Sequence, residues 1–274
     1  IMPIKIDNLC FSYNSEMIID DLNLKVNDNE ILAIVGNTGS GKSTLVQLIA
    51  GLLKADKGKI IVDNDDIIAK KFNKKILRKK LGIVFQFPEM QLFEQSVEKD
   101  IFFGLKQYNL SYKEKCARAK EVLNLLGLDF EEIRDKSPLA LSNGKKRKVA
   151  IAGVMVCKPK YLIFDEPIAG LDYSSRESFM KVLLKLKEQG TSIIIISHNL
   201  DYLAEYADRI IVMNNGKIVL DDLPNIVFGK QQMLDELNIG TCSSKNIINL
   251  LKANDIQMPD NIIKYNDLLN SLIT

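Results

Sequence analysis

The sequence predicts an α/β protein built on a buried parallel sheet, with antiparallel strands ahead of it and a helical segment behind. Three observations carry that reading. Continuous apolar runs at Ile31–Val35, Tyr161–Phe164 and Ile193–Ile196 read as strands covered on both faces, as parallel strands are. A helical pattern over Ser174–Glu188 separates the last two runs, and a strand–helix–strand order of this kind implies a parallel pair. The first run leads straight into a glycine-rich loop and then a helix-like stretch, Ser43–Leu53.

Taken in order, the chain opens on strands. Ile4-Lys5-Ile6 and Leu22–Val26 alternate apolar and polar with period two, as half-buried antiparallel strands do, and Asn14–Glu16 and Asn27–Asn29 supply turns. From Phe87 to Pro159 the pattern turns mostly helical. Lys113–Leu126 has apolar residues at helical spacing, and Leu141–Val156 follows a Ser-Asn-Gly turn. Arg209–Met213 and Lys217–Leu220 bracket Asn214-Asn215-Gly216, which has the chemistry of a hairpin turn. Asn225–Thr274 is polar and patchily amphipathic, with apolar rows at Ile247-Ile248-Leu250-Leu251 and Leu268-Leu269-Leu272, and reads as a small helical appendage.

Composition narrows the class. The chain has 274 residues, 46% of them hydrophobic and 26% charged, which suits a globular protein with a real core and argues against large-scale disorder. Net charge is +2, so bulk electrostatics advertise no polyanion partner. The apolar runs fall well short of the roughly 20 residues needed to cross a bilayer, and Ile1–Lys5 lacks the shape of a signal peptide. Cys10, Cys116, Cys157 and Cys242 stand far apart with no Cys/His pairing, which disfavours a zinc site or disulfide framework and fits a reducing cytosol. Lys70–Lys80 is basic, but at this net charge it reads as a solvated surface segment.

Gly36-Asn37-Thr38-Gly39-Ser40-Gly41-Lys42-Ser43 fits the phosphate-loop pattern. Successive N–H groups must curl around phosphate oxygens, so glycines stand where a Cβ would block the turn, and the next helix points its N-terminus at the anion. Lys42 would reach the β and γ phosphates and the Ser43 hydroxyl would bind Mg²⁺. Asp165 and Glu166 directly follow a buried strand, where α/β sheets present their ligand-binding edge. Asp165 is suited to hold Mg²⁺ and Glu166 to polarise an attacking water. His198, the one histidine, ends another buried strand and could bond a γ phosphate and that water.

The order of these motifs resembles the ATP-binding subunit of an ABC transporter. An aromatic (Tyr13), Walker A (Gly36–Thr44), a glutamine after a strand (Gln86), a signature loop (Leu141–Lys145), Walker B (Asp165, Glu166), a D-loop (Ala169–Asp172) and a switch histidine (His198) follow one another over residues 1 to 222. The resemblance implies a P-loop NTPase (RecA-like) core with an antiparallel β subdomain, a helical signature subdomain over about 87–159, and a C-terminal helical region over 223–274 that serves dimerisation, although the amphipathic rows of that region fit core packing equally well. It implies a head-to-tail pair of ATPases, with each ATP held between one subunit's Walker A and the other's signature loop. Tyr13 would stack on adenine, and Thr44 would close the Walker A set. Gln86 would contact Mg²⁺ and relay movement to a membrane partner. Ser142, Asn143, Gly144 and Lys145 would face the opposing subunit's ATP, and Asp172 would lie at the seam.

Val84–Phe93, Asp100–Gly104, Val149–Val154 and Glu166–Asp172 resemble the energy-coupling factor (ECF) ATPases, including the cobalt-type CbiO subunits. That implies ATP hydrolysis coupled to uptake of a vitamin or metal ion. The partners would be a second ATPase, a transmembrane T component and a substrate-capturing S component, at the cytoplasmic face of the membrane. The alternatives are the ATPase of a different transporter, or a soluble ATPase of this type acting on nucleic acid or ribosomes. No sustained heptads and a single Walker A favour the transporter, with no nucleic acid expected. Leu-Ser-Asn-Gly-Lys departs from the family's usual LSGGQ. Asn143 adopts a positive φ more readily than most residues and would keep the turn, while Lys145 puts a cation at an already positive helix end. The composite site that uses Ser142–Lys145 is expected to be the slower one, which favours a related chain over a second copy as the partner. Ile168 and Tyr173, where the family commonly has Thr and Pro, are expected to be neutral.

Overall fold

The computed structural model describes residues 3–259 and 261–273; Ile1 and Met2 of the opening segment, and Asp260 and Thr274 of the C-terminal one, lie outside the described residues. Strands run β1 (Ile4–Tyr13), β2 (Glu16–Val26), β3 (Ile31–Val35), β4 (Lys57–Val62), β5 (Asp65–Asp66), β6 (Leu81–Val84), β7 (Tyr161–Asp165), β8 (Ser192–Ile196), β9 (Arg209–Asn214) and β10 (Lys217–Asp222). The α-helices are α1 (Lys42–Ile49), α2 (Lys74–Lys80), α3 (Val97–Gly104), α4 (Tyr112–Leu125), α5 (Phe130–Ile133) and α6 (Asn143–Met155). They continue with α7 (Tyr173–Glu188), α8 (Leu200–Tyr206), α9 (Pro224–Gly229), α10 (Gln231–Glu236), α11 (Ser243–Ala253) and α12 (Tyr265–Ile273). The chain forms two compact units: residues up to Leu77 together with those from Ser192 onward, and Arg78–Thr191.

The first unit holds an antiparallel sheet in the order β2-β1-β4-β5, and a group in which β3 pairs in parallel with β8 and with β9, while β10 pairs antiparallel with β9. Every residue of β3 and of β8 is buried, as their unbroken apolar runs require. β1 and β2 extend well beyond the alternating cores at Ile4–Ile6 and Leu22–Val26. Their register shifts between Ile6 and Leu9 and again between Leu9 and Phe11, with Asn8 and Asp21 at positive φ. Each bulge resets the inside–outside alternation, so a strict period-two pattern covers only part of each strand. α1 ends at Ile49 rather than Leu53, because Gly51 turns left-handed at φ +66 and the N–H groups of Leu52 and Leu53 fold back onto the Gln47 carbonyl.

The C-terminal segment is helical, as its amphipathic rows suggest. Val227, Phe228, Leu234, Ile248 and Leu268 are buried, whereas Leu250 and Leu272 remain 66% and 50% exposed, so only part of each apolar row packs inward. Asp201 on α8 holds the start of α11, accepting from the Ser243 N–H at 2.6 Å and the Ser243 hydroxyl at 2.8 Å.

In the second unit β6 and β7 pair in parallel, from Leu81 opposite Tyr161 to Val84 opposite Phe164. Helices dominate the rest. A capping box between Ser111 and Glu114 opens α4, and Asp129 caps α5 through the N–H groups of Glu131 and Glu132. α3 and α6 approach closely: a Cβ on Gly104 would stand 2.7 Å from the Gly153 carbonyl oxygen. α6 buries Arg147, Ile151 and Met155 on one row, together with Val149 and Ala152.

Candidate nucleotide site

The phosphate loop belongs to the first unit. β3 delivers Gly36, and Gly36, Gly39 and Gly41 all have positive φ, at 151°, 83° and 99°. Gly36 is the tightest position, since a Cβ there would lie 2.3 Å from the Met213 carbonyl oxygen and 2.7 Å from Ser40 Oγ. Ser40 is buried, donates its N–H to the Asn37 carbonyl at 3.1 Å, and accepts the Gly216 N–H at 3.1 Å. Lys42 is 7% exposed, and its Nζ donates to the carbonyls of Gly36 at 2.6 Å and Asn37 at 2.8 Å. The ammonium therefore lies inside the curl of the loop. Asn37, Thr38, Gly39 and Ser43 are exposed along it, and Thr44, the third residue of α1, is half-buried. Asn37 also donates from Nδ2 to the Leu237 carbonyl at 2.6 Å, which fastens the loop to the end of α10.

Parallel register brings His198 to the same edge. Ile34 lies opposite Ile196, so Gly36 and His198 both stand two residues past a paired position, at the carboxyl ends of neighbouring strands. His198 is exposed and is followed by Asn199, whose side chain caps α8 through the Tyr202 N–H. Tyr13 ends β1 and is 44% exposed, its ring set edge-on against that of Phe11 at 4.7 Å between centroids.

The second unit repeats this arrangement. Val84 lies opposite Phe164, which sets Gln86 and Glu166 two residues past paired positions on one strand edge, with Asp165 closing β7. Glu166 takes φ +51, rare for a residue with a side chain, and turns the chain sharply out of the strand. Phe87, directly after Gln86, is also left-handed at φ +57 and leads into a short 3₁₀ turn, Pro88–Gln91. Asp172 caps α7, accepting from the Ser175 N–H at 2.9 Å and the Ser175 hydroxyl at 2.8 Å, and these bonds hold its carboxyl below the usual range.

The signature residues form the open end of α6. Ser142 is the N-cap but its hydroxyl makes no capping bond; Ser142, Asn143 and Gly144 are exposed, and the first turn carries no acid. Asn143 is the first helical residue and its φ is not positive, contrary to the expectation that a left-handed turn is needed there. Gly144 is likewise not left-handed, and a Cβ on it would meet nothing within 4 Å. Lys145 pairs with Glu132 at 3.7 Å, so a carboxylate of the chain itself offsets part of the cation's unfavourable position.

One functional candidate that the sequence pattern does not single out is Arg147, which stands among Lys145, Lys146 and Lys148. Its spacing of four from Ile151 and eight from Met155 puts it on the buried row, and that spacing was the available signal.

The donor chemistry fits a nucleotide with Mg²⁺. No side chain caps α1 and its first turn holds no acid, so that helix end and the glycine curl suit an anion. Among the described residues no group of three or more His, Cys, Asp or Glu forms a metal cage. Mg²⁺ asks for no such cage, since it keeps water ligands and takes one or two protein oxygens together with substrate phosphates.

Comparisons with known proteins agree with this chemistry. Residues 19–169 match the family model described as ABC transporter. The energy-coupling factor transporter ATP-binding protein EcfA2 of Clostridium tetani is 43% identical over 99% of this chain and 96% of that protein. A solved structure of cbiO1 from Clostridium perfringens, described as part of the ABC transporter complex cbiONQ, is 36% identical and covers 92% of this chain and 99% of its own, with a TM-score of 0.76. An ATP-binding cassette solved as a dimer in a post-hydrolysis state with ADP and Pi is 27% identical, covers 81% of this chain and 98% of its own, and has a TM-score of 0.71. Among the described residues no helix is long and apolar enough to cross a membrane. The chain thus belongs to the ABC transporter family and, within it, to the energy-coupling factor ATP-binding proteins, as an ATPase subunit of such a transporter.

Proposed function

We propose that this ATPase works in a pair with a second ATP-binding subunit, a related chain or a second copy. ATP binding closes the pair and hydrolysis reopens it. The cycle drives uptake of a vitamin or metal ion through a transmembrane T component, with an S component selecting the substrate. The chain would sit peripherally on the cytoplasmic face of the membrane. Residues 1–222 would form the nucleotide-binding domain, with its helical subdomain over about 87–159, and 223–274 would contact the paired ATPase.

The observation that supports this reading most is that each unit gathers candidate residues at a strand edge of its own: Gly36 with His198 in one, and Gln86 with Glu166 in the other. Lys42, already inside the loop, would neutralise the β and γ phosphates while Gly36–Thr44 supply N–H groups to their oxygens. Tyr13 would stack on adenine. Ser43, Asp165 and Gln86 would hold Mg²⁺, which when bound neutralises charge on the phosphates. Glu166 would orient the attacking water and accept its proton, and His198 would bond that water and the γ phosphate. The open end of α6 at Ser142–Lys145 would meet the partner's γ phosphate, and Asp172 would lie beside the seam.

Glu166→Gln keeps the shape and removes the base. The variant is expected to bind ATP normally and to lose turnover by on the order of 100-fold or more; turnover at the unmodified rate removes Glu166 from this role. Mild-detergent extraction of the tagged chain should bring along a related ATPase, one common membrane protein and small variable ones. Co-purification of ribosomes or nucleic acid without membrane proteins overturns the transport reading.

A further inference from the structure

Arg147 is 6% exposed, on the row of α6 that packs inward. Its guanidinium spreads over one turn of main chain, with Nη1 donating to the Ala169 carbonyl at 2.8 Å and Nη2 to the carbonyls of Pro167 at 2.7 Å and Glu166 at 3.1 Å. Glu166 at φ +51 and Gly170 at φ +74 bend the chain so that these carbonyls converge on the fork. Burial lowers the guanidinium pKa, and the Glu89 carboxylate, in the turn after Gln86, opposes that shift. Burying a cation against neutral carbonyls is poor economy for stability alone, since a well-packed apolar side chain would serve at least as well. What the fork supplies is geometry: three planar donors fix the direction of three carbonyls at once, which a lysine cannot do.

The two ends of this link are the residues given roles above. Arg147 follows Ser142–Gly144 by one helical turn, and the carbonyls it grips run from Glu166 to within three residues of Asp172. We propose that Arg147 is a positioning residue for hydrolysis: it locks the Glu166–Ala169 turn to the signature helix. Movement of that helix on meeting the partner's nucleotide would thereby set the direction of Glu166 and Asp172. This inference rests on the roles proposed for those residues.

The test uses the full chain in its co-purified membrane assembly, with Arg147→Met, Arg147→Lys and Glu166→Gln measured side by side. The readouts are kcat and KM for ATP, affinity for a fluorescent ATP analogue, and the melting temperature. Arg147→Met is expected to lower kcat about tenfold or more while KM and analogue affinity stay within about twofold, the signature of a loss confined to the reacting state. Arg147→Lys, which keeps the charge but offers its donors from a single nitrogen and not from a planar fork, should recover part of the rate. Loss of kcat, affinity and melting temperature together, or failure of both Arg147 variants to assemble, would make the residue purely structural and overturn the proposal. Full rate in both Arg147 variants beside an inactive Glu166→Gln overturns this proposal and leaves the reading of Glu166 standing. Full rate in Glu166→Gln overturns that reading, and this inference with it.

Discussion

Two helix N-termini in this protein are suited to phosphate, and they are built in opposite ways. At α1 the chain arrives through three glycines at positive φ, a buried Ser40 and a buried Lys42 bonded to the loop's own carbonyls. At α6 the chain arrives through ordinary backbone, with Ser142, Asn143 and Gly144 exposed and no glycine at positive φ among them. The first end is moulded by its surroundings, so nearly every residue in it is constrained. The second is a bare helix terminus that would meet a ligand through main-chain N–H groups, which every residue but proline supplies. Side-chain identity should therefore matter steeply at the first end and shallowly at the second. That difference explains how Leu-Ser-Asn-Gly-Lys can replace the usual signature while the Walker A pattern stands complete.

The steepest expected effect is at Lys42. Replacing it with Ala removes both the charge that would face the phosphates and the two bonds that close the loop on Gly36 and Asn37. ATP turnover should fall by on the order of 100-fold or more, the scale of losing one preorganised donor to developing charge, in a steady-state phosphate-release assay. A loss below about threefold would mean that the buried ammonium is a structural bolt, and the contrast between the two helix ends would lose its electrostatic half.

A matched pair of glycine substitutions tests the steric half. Gly36→Ala drives a Cβ to 2.3 Å from the Met213 carbonyl oxygen, a backbone atom that cannot swing aside. Gly144→Ala meets nothing within 4 Å and sits inside a helix. Denaturant unfolding should show Gly36→Ala destabilised by about 2–4 kcal/mol. Gly144→Ala should be unchanged or stabilised by up to about 1 kcal/mol, because alanine is the better helix former. Equal costs at the two positions would break the comparison.

The same contrast describes what the sequence made legible. The phosphate loop, the Asp165–Glu166 pair and His198 could be read because each follows a continuous apolar run, and a strand buried on both faces announces both itself and its carboxyl end. The antiparallel sheet was read only in part. The bulges at Asn8 and Asp21 reset the alternation in β1 and β2, and β4 opens on three exposed residues, Lys57-Gly58-Lys59, that hide its apolar half. Arg147 was hidden for a different reason. A cation flanked by three others looks like solvated surface, and its burial depends on carbonyls about 20 residues away in sequence, brought to it by the Glu166 turn. Local chemistry is legible from spacing, whereas long-range satisfaction of a buried charge is not.

The smallest effect is expected where the sequence departs most visibly from its family. Asn143 was expected to need a left-handed turn and Lys145 to weaken an already positive helix end. In the fold Asn143 begins α6 without positive φ, and Lys145 lies 3.7 Å from Glu132. The pair is exposed, and ion pairs of that kind contribute about 1 kcal/mol at most. Asn143 therefore does not strain the loop, and what Lys145 costs the helix end is small and partly offset by Glu132, so reverting them relieves little. The double variant Asn143→Gly, Lys145→Gln should change ATP turnover by less than about threefold, which corresponds to about 0.7 kcal/mol in the barrier. A tenfold gain would show that these side chains do hinder the nucleotide facing them. The expectation of one slow composite site would then stand, with the cause in the residues' own reach toward the phosphate and not in the backbone that carries them.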